Sequence, residues 1–157
     1  MSIVRAVETA DVPAVVALVA EVLSEFGLSF GVGSATDEAL GQLPGSYVDA
    51  GGAFWVAFDE VEGRSTLIGT CGIFPVAPGT FELRKMYLSR HARGRGVGQR
   101  LLDEAVAWAR ANGGKKLVLD TIHEMASAIA FYEKNDFVRD DAQIRGSRCT
   151  RGYARSI

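Results

Sequence analysis

The sequence contains little cysteine and histidine, with two residues of each among its 157. Cys71 and Cys149 make neither a disulfide framework nor the spacing of a metal-binding motif. Two such cysteines are typical of buried or half-buried thiols in a reducing compartment. We therefore predict a cytoplasmic protein that holds no metal.

Long hydrophobic runs are also missing, although 48% of the residues are hydrophobic. No apolar run approaches the roughly 20 residues that a membrane-spanning helix requires. The apolar stretch 12–20 follows Glu8 and Asp11 rather than a basic leader, and it contains Pro13, which argues against a signal peptide. These features predict a protein with no membrane partner.

Acidic residues are absent from residues 83–102, whereas the whole chain has a net charge of −2. The same segment carries six positive charges: Arg84, Lys85, Arg90, Arg93, Arg95 and Arg100. A local basic segment in an otherwise acidic protein favours a small anionic ligand over nucleic acid, which usually needs a wider basic face. A solvated basic surface is the alternative interpretation.

Hydrophobic periodicity predicts an alternation of strands and helices. The predicted strands cover 3–7, 53–58, 66–74, 80–88 and 116–122; the predicted helices cover 12–26, 97–112 and 125–135, with a weaker helix between residues 36 and 48. The C-terminal residues around 148–157 are expected to supply one or two edge strands. Antiparallel hairpins followed by a β–α–β–α order predict an α/β (α+β) fold, a mixed sheet with helices on both faces. Since no linker, repeat or low-complexity segment interrupts it, we expect one domain over 1–157.

A glycine-rich loop lies between the strand 80–88 and the helix 97–112. It does not match the dinucleotide pattern G-x-G-x-x-G, because the position after Gly94 and Gly96 that requires glycine is Gln99. It is not a phosphate-binding Walker loop either, since the only Gly-Lys pair, at 114–115, is followed by lysine. What remains is Arg93-x-x-Gly96-x-Gly98 at a helix start, where unpaired N–H groups and the helix dipole favour phosphate. A simple glycine-rich turn is the alternative.

Two stretches, "ELRKMYLSRHARGRGVGQRLLDEAVAWARANG" and "AIAFYEKNDF", strongly resemble the GNAT superfamily of acyl-CoA-dependent N-acyltransferases. Arg93, Gly96 and Gly98 match the central signature of that family. The order of elements also matches, so the resemblance covers nearly the full chain. It implies a mostly antiparallel central sheet that splays between strands 4 and 5, with acetyl-CoA or coenzyme A as the cosubstrate.

The resemblance also implies which residues bind that cosubstrate. The fourth strand of the family carries a bulge and pairs through its exposed backbone with the pantetheine arm, while the pyrophosphate lies on the backbone amides of 93–99. Arg93 and Arg95 are expected to reach phosphate oxygens, unless one of them is merely solvated. The implied cofactor-binding residues are Met86, Tyr87, Leu88, Arg93, Gly94, Arg95, Gly96, Val97, Gly98 and Gln99.

The chain departs from the family pattern at two places. Met125 stands seven residues before the helix tyrosine, where many members have asparagine, which removes a polar contact to the cofactor arm. Asn135-Asp136-Phe137 replaces the usual Leu-Gly-Phe, so Asn135 or Asp136 must adopt the helix-ending conformation that glycine usually takes.

Acetyl transfer to an amine requires a base for the ammonium proton and a donor for the leaving thiolate. Glu82 is the candidate base, because the resemblance places its strand beside the point where the acyl group emerges. Pairing with Arg84 or a neighbouring strand is the alternative role of Glu82. Tyr132 matches the helix tyrosine whose hydroxyl faces the CoA sulfur in the family, and a plain core tyrosine is its alternative.

Several residues are candidates for contacting the acceptor amine. In this fold the loop 26–34 and the last strands frame the acceptor site, so Phe26 and Phe30 could wall a pocket. Asp140 and Asp141 could attract an amine, and His123 and Glu124 could reach the acceptor side. Cys71 is expected to be a packing residue.

Together these features predict an N-acetyltransferase that moves an acetyl group from acetyl-CoA directly to a primary amine of a small molecule, amino acid or peptide. A homodimer is possible, and nucleic acid is not expected as a partner. An acyl-CoA sensor without turnover is the alternative, although the presence of Glu82 and Tyr132 argues against it.

Overall fold

The computed structural model describes residues 2–157, which form seven strands, four α-helices and four short 3₁₀-helices. The strands are β1 (Ser2–Ala6), β2 (Ala53–Val61), β3 (Arg64–Ala77), β4 (Thr80–Leu88), β5 (Lys116–Thr121), β6 (Val138–Arg139) and β7 (Arg151–Ser156). The α-helices are α1 (Val12–Ser24), α2 (Gly45–Val48), α3 (Val97–Ala111) and α4 (Ala126–Lys134). The weaker helix expected between residues 36 and 48 is instead a 3₁₀-helix, Glu38–Gln42, followed by the single turn of α2. Of the helices in residues 2–157, none is long and apolar enough to cross a bilayer.

All seven strands join one sheet in the order β1-β2-β3-β4-β5-β7-β6. Every neighbouring pair is antiparallel except β4 and β5, which run parallel and pair only through Thr80–Glu82 and Lys116–Val118. Beyond these three residues the two strands part. The predicted mixed, mostly antiparallel sheet that splays between strands 4 and 5 is therefore confirmed.

The C-terminal strand does not lie where the sequence placed it. We expected one or two edge strands there, but β7 lies between β5 and β6, with six residues paired to β5. Only the two-residue β6 forms the edge. The interior position follows from Tyr153, which is fully buried and packs with the core beside α4.

Buried side chains form two clusters, one on each face of the sheet. Alternate residues of β2 divide between them, with Trp55 and Ala57 in one cluster and Phe54 and Val56 in the other. The first cluster contains the apolar faces of α3 and α4, and the second contains α1 and the 3₁₀-helix that follows it. Helices thus cover both faces, as predicted, and burying a leucine such as Leu101 stabilises the fold by about 1.5–3 kcal/mol.

A bulge interrupts β4 at Lys85. Thr70 pairs with Tyr87 and Gly72 with Arg84, so two residues of β4 oppose one residue of β3. Lys85 has a φ of 54°, and its carbonyl accepts a hydrogen bond of 2.7 Å from the Thr70 hydroxyl. This bond supports a left-handed backbone that a lysine rarely adopts.

The end of α4 has the left-handed conformation that the sequence analysis expected of Asn135 or Asp136. Asp136 takes the left-handed backbone with a φ of 69°, and the Phe137 N–H returns to the Tyr132 carbonyl at 3.1 Å. Aspartate thus serves where glycine is usual, which is a tolerated substitution at helix ends.

Candidate active site

A cleft of about 610 Å³ opens where β4 and β5 part. β4 lines it from Glu82 to Leu88, and the loop before α3, the end of β5, the start of α4, the loop after α1 and the loop before β7 supply the other walls. Parting the strands leaves residues 83–88 of β4 without partners on the β5 side. Backbone groups that lack a strand partner can pair with an extended ligand.

The start of α3 presents a run of free backbone donors. The first bond inside the helix is from the Arg100 N–H to the Gly96 carbonyl, at 3.1 Å. Among residues 2–157, no group accepts a hydrogen bond from the N–H groups of 94–99, whereas the Arg93 N–H binds Arg90. Gly94 and Gly96 have φ values of 74° and 80°, and space is open where their Cβ atoms would lie. This segment suits a phosphate or pyrophosphate, which binds N–H groups at helix starts.

The two arginines of the glycine loop differ in placement. Arg93 lines the cleft, where its guanidinium binds the Leu88 carbonyl at 3.0 Å and the Glu25 carboxylate at 2.7 Å. Burial opposes ionisation of Glu25, but hydrogen bonds from Arg93 and Arg90 outweigh it and lower the Glu25 pKa. Arg95 does not line the cleft and binds Asp59 on β2 at 2.9 Å. Arg93 is therefore the better placed of the two for a phosphate.

Tyr132 lines the cleft from α4 while remaining only 7% exposed. Its ring packs edge-on against Phe131 and Phe137, which fixes its orientation. Its hydroxyl makes no hydrogen bond with any of residues 2–157. Burial raises the pKa of the Tyr132 hydroxyl far above its usual range, so the group stays protonated and can donate.

Glu82 also lines the cleft and is only 4% exposed. Its carboxylate forms an ion pair with the Arg84 guanidinium through one oxygen. Its other oxygen lies 3.5 Å from Nη1 of Arg145, in the loop before β7. Glu82 therefore forms the ion pair with Arg84 that the sequence analysis gave as its alternative role. It also lines the cleft, as the role of a base requires.

A second group of charges is centred on a fully buried carboxylate beside the cleft. Asp37, which is 0% exposed, binds the Lys85 ammonium and lies 3.3 Å from the Arg148 guanidinium. It also accepts a 2.8 Å hydrogen bond from the Gly31 N–H. We call Asp37, Lys85 and Arg148 the buried ion cluster. It joins the loop after α1 to the bulge of β4 and to the loop before β7.

The model of the acetyltransferase (GNAT) family matches residues 19–137. The chain belongs to the GNAT family. It is an acyltransferase, in agreement with its relatives: the uncharacterized N-acetyltransferase YjgM of Escherichia coli is 33% identical over 143 residues, 88% of this chain and 83% of that protein.

Solved GNAT structures share the whole fold. An acetyltransferase of the GNAT family from Staphylococcus aureus has a TM-score of 0.89 at 20% identity, over 99% of both chains. The PaiA N-acetyltransferase from Thermoplasma acidophilum, solved in complex with coenzyme A, has a TM-score of 0.76 at 19% identity, over 100% of this chain and 99% of that one. The splayed sheet of this chain is therefore the GNAT fold.

The remaining candidate residues divide into those that line the cleft and those that do not. Of the GNAT cofactor residues implied by the sequence, it places Met86, Tyr87, Leu88, Arg93, Gly94 and Gly98 along the cleft. The residues that line the cleft do not include Arg95, Gly96, Val97 or Gln99, although the free N–H groups of all four belong to the run described above. Met125 and Glu124 line the cleft as well.

Several acceptor candidates lie elsewhere. His123 binds Thr150 and Glu124 and does not line the cleft. Asp140 caps Ala142, and Asp141 pairs with Arg139, so the expectation that these two aspartates attract an amine is not supported. Phe26 lines the cleft but Phe30 packs against the second core cluster. Cys71 is fully buried in the first cluster, as expected of a packing residue.

Sequence reasoning missed the GNAT cleft residues that come from distant loops. Asp120 at the end of β5 accepts 2.7 Å hydrogen bonds from the N–H groups of Arg145 and Gly146. Nearby, Cys149 lines the cleft, and burial and the charge of Asp120 raise the pKa of its thiol to about 12. Nothing in the local sequence around these residues signals their meeting. Among residues 2–157, no group of three His, Cys, Asp or Glu side chains could hold a metal ion, and the absence of a resident metal stays a prediction.

Proposed function

We propose that the protein is an acetyl-CoA-dependent N-acetyltransferase that moves an acetyl group directly to a primary amine of a small molecule, amino acid or peptide. The observation that carries this proposal is the joining of three features along one cleft. These are the open edge of β4, the free N–H groups of 94–99 and Tyr132, a cleft residue whose hydroxyl binds none of residues 2–157. The first two fit the arm and the pyrophosphate of coenzyme A, and the third fits its sulfur.

The chain offers complementary groups for the cosubstrate along the length of the cleft. The amides of 94–99 and the Arg93 guanidinium would hold the pyrophosphate, because oriented N–H donors and a fixed cation stabilise its charge. The backbone groups of Met86 and Leu88 on the free edge of β4 would pair with the pantetheine amides. The Leu88 carbonyl already accepts from Arg93, so Leu88 would contribute through its side chain and its remaining lone pair. Bound acetyl-CoA supplies an activated acetyl thioester.

Two side chains would handle the protons. Glu82 accepts a proton from the substrate ammonium, directly or through water, which frees the nitrogen lone pair for attack on the carbonyl carbon. Tyr132 donates its proton toward the sulfur as the C–S bond breaks, so the thiol leaves rather than the thiolate. The attacking nitrogen loses its second proton as the amide forms, and that proton restores the Tyr132 hydroxyl, directly or through water. Positioning supplies much of the remaining acceleration, since holding the two reactants together removes most of the entropic cost of their encounter.

A release assay tests the proposal against the sensor alternative. Thiol release from acetyl-CoA is measured with a panel of amines, amino acids and peptides, each against a blank without acceptor. We expect acceptor-dependent release with at least one class. Tight coenzyme A binding with no release across the whole panel would favour the sensor.

We further propose that residues 1–157 act as a single N-acetyltransferase domain. The support is that strands from Ser2 to Ser156 join one sheet. A cytoplasmic location is proposed on the cysteine content of the sequence. Limited proteolysis should leave one resistant fragment of nearly full length, whereas two separable resistant fragments would contradict the single domain.

Coenzyme A binding should raise the melting temperature of the wild-type protein. A ligand at about 100 times its Kd adds roughly 2.7 kcal/mol, which corresponds to roughly 5–11 °C for a domain of this size. Gly96→Val should remove most of this shift, because its branched Cβ would occupy the open space beside the free amides. Thermal melts with and without coenzyme A measure both effects.

Gly63→Val provides the matched control for that experiment. Gly63 also has a positive φ, 75°, and open space at its Cβ position, but it lies in the turn between β2 and β3. Both variants should lose similar stability from backbone strain, while Gly63→Val keeps the coenzyme A shift. An equal shift in all three proteins would contradict the phosphate site at α3.

Glu82→Gln should lower turnover most at low pH, by about 10²-fold or more, because a general base matters most when the acceptor amine is protonated. At high pH free amine is abundant, so the variant should recover toward wild type. Full pH–rate profiles give the comparison. Glu60→Gln, which changes an exposed glutamate of β2, is the control and should leave the profile unchanged. An unaltered pH–rate profile in Glu82→Gln would show that Glu82 forms ion pairs but does not act as the general base.

A further inference from the structure

The acid group of Glu82 lies between two guanidinium groups that line the same cleft. Arg84 contacts one carboxylate oxygen and Arg145 approaches the other to 3.5 Å. The two guanidiniums therefore share one carboxylate, because the other carboxylate nearby, Asp120, accepts from the backbone N–H groups of Arg145 and Gly146. The neighbouring buried ion cluster adds two cations, Lys85 and Arg148, that share the single carboxylate of Asp37.

The Arg145 guanidinium has unused donors. Its three hydrogen bonds, to Glu82, the Gln143 carbonyl and the Gln143 side chain, all leave from Nη1 and measure 3.1–3.5 Å. Its Nε and Nη2 groups donate to none of residues 2–157. Unpaired guanidinium donors facing a cleft bind carboxylates well, because the planar fork matches two oxygens at once.

The Arg84 guanidinium and the backbone of the loop that carries Arg145 are held in place before any ligand arrives. The Arg84 guanidinium stacks over the Phe74 ring at 4.1 Å. The loop that carries Arg145 is fixed by two 2.7 Å hydrogen bonds from the N–H groups of Arg145 and Gly146 to Asp120. A preset pair of cations loses little freedom on binding, which favours a specific anion over a loosely attracted one.

We infer that the acceptor is an α-amino acid or a compound with the same pairing of groups, and that Arg145 and Arg84 bind its carboxylate. This inference rests on the proposed function. In an α-amino acid one carbon separates the ammonium from the carboxylate. Glu82 can therefore take the ammonium proton while the flanking guanidiniums bind the carboxylate of the acceptor. A simple amine would leave the free donors of Arg145 without a partner.

The test uses matched sets of acceptors. Each set contains an L-amino acid, its carboxamide and the amine left when the carboxyl group is removed, compared at equal concentrations of unprotonated amine. The acid should exceed both analogues in kcat/KM by about 10- to 100-fold, the range of a charge-assisted hydrogen-bonded contact. In Arg145→Ala this preference should disappear, because activity on the acid should fall far more than activity on the amide. Arg139→Ala, which removes an exposed arginine outside the cleft, should keep the preference.

A binding measurement gives a second readout that needs no turnover. With coenzyme A present, the preferred amino acid should raise the melting temperature of the wild-type protein, and neither its amide nor the Arg145→Ala variant should show that rise. Release of thiol with the amides and simple amines alone would overturn this inference and leave the proposed function intact. Absence of both coenzyme A binding and thiol release with every acceptor would instead overturn the proposed function, and the inference with it.

Discussion

Replacing Tyr132 by phenylalanine is expected to lower kcat by about 10²- to 10⁴-fold, the contribution of a positioned proton donor. The ring remains, so its packing against Phe131 and Phe137 in the first core cluster should survive. The hydroxyl makes no hydrogen bond with residues 2–157 and stays protonated, so its loss leaves no protein partner unsatisfied. The loss therefore falls on the transition state, and the Kd for acetyl-CoA should barely change.

The measurement is a comparison of kcat with the Kd for acetyl-CoA and with the melting temperature. Tyr153→Phe is the matched control, because Tyr153 lies in the same core but binds Glu133 through its hydroxyl and does not line the cleft. We expect near-wild-type kcat for that variant. A thioester whose thiol has a lower pKa should be much less sensitive to Tyr132→Phe, since it leaves without a proton.

Two results would contradict this role for Tyr132. A well-folded variant with near-wild-type kcat, when the chemical step limits the rate, would show that the hydroxyl does not serve the leaving group. A fall in kcat that follows a loss of stability would identify Tyr132 as a core residue only.

Asp37→Asn should destabilise the fold by about 3–5 kcal/mol, because it leaves the ammonium of Lys85 buried without its counter-charge. Arg148, only 14% exposed in its side chain, loses the same partner. Urea unfolding measures the free energy. Asp141→Asn is the control: it removes a carboxylate from a half-exposed pair with Arg139, which contributes at most about 1 kcal/mol.

The buried ion cluster also predicts part of the acid sensitivity. Burial alone would raise the pKa of Asp37, but the hydrogen bonds from Lys85 and Gly31 and the nearby charges outweigh it and lower the pKa. The unfolded chain then binds the proton more readily, so this contribution is complete above the ordinary pKa of about 3.9 and is lost as the pH falls through the lower folded value. Asp37→Asn should lack this portion of the pH dependence.

A double variant separates charge from packing. Asp37→Asn combined with Lys85→Met removes both members of the pair and should recover part of the lost stability, since two neutral groups need no compensation. If the single variant Asp37→Asn unfolds at the same urea concentration as the wild type, the cluster does not hold the loop after α1 to β4.

The sequence by itself determined the parts of this protein that depend on local patterns. β4 and α3 begin and end within a residue of their predicted bounds, because alternation and helical periodicity are read from neighbouring residues. The glycine loop was predicted to bind phosphate from residue types alone, and residues 94–99 indeed have free N–H groups. Asp136 was also one of the two residues expected to end α4, since few residue types tolerate a positive φ.

Only the tertiary structure decided which distant residues meet. Asp37 lies 48 positions from Lys85 and 111 from Arg148, and Glu82 lies 63 positions from Arg145. Local periodicity carries no information about such pairs, because they form when strands cross the sheet and bring loops to one edge. The same long-range pairing put β7 inside the sheet rather than at its edge and turned Arg95 toward Asp59. The end of the cleft proposed to bind phosphate is therefore encoded locally, whereas the end proposed to bind the acceptor is assembled by the fold.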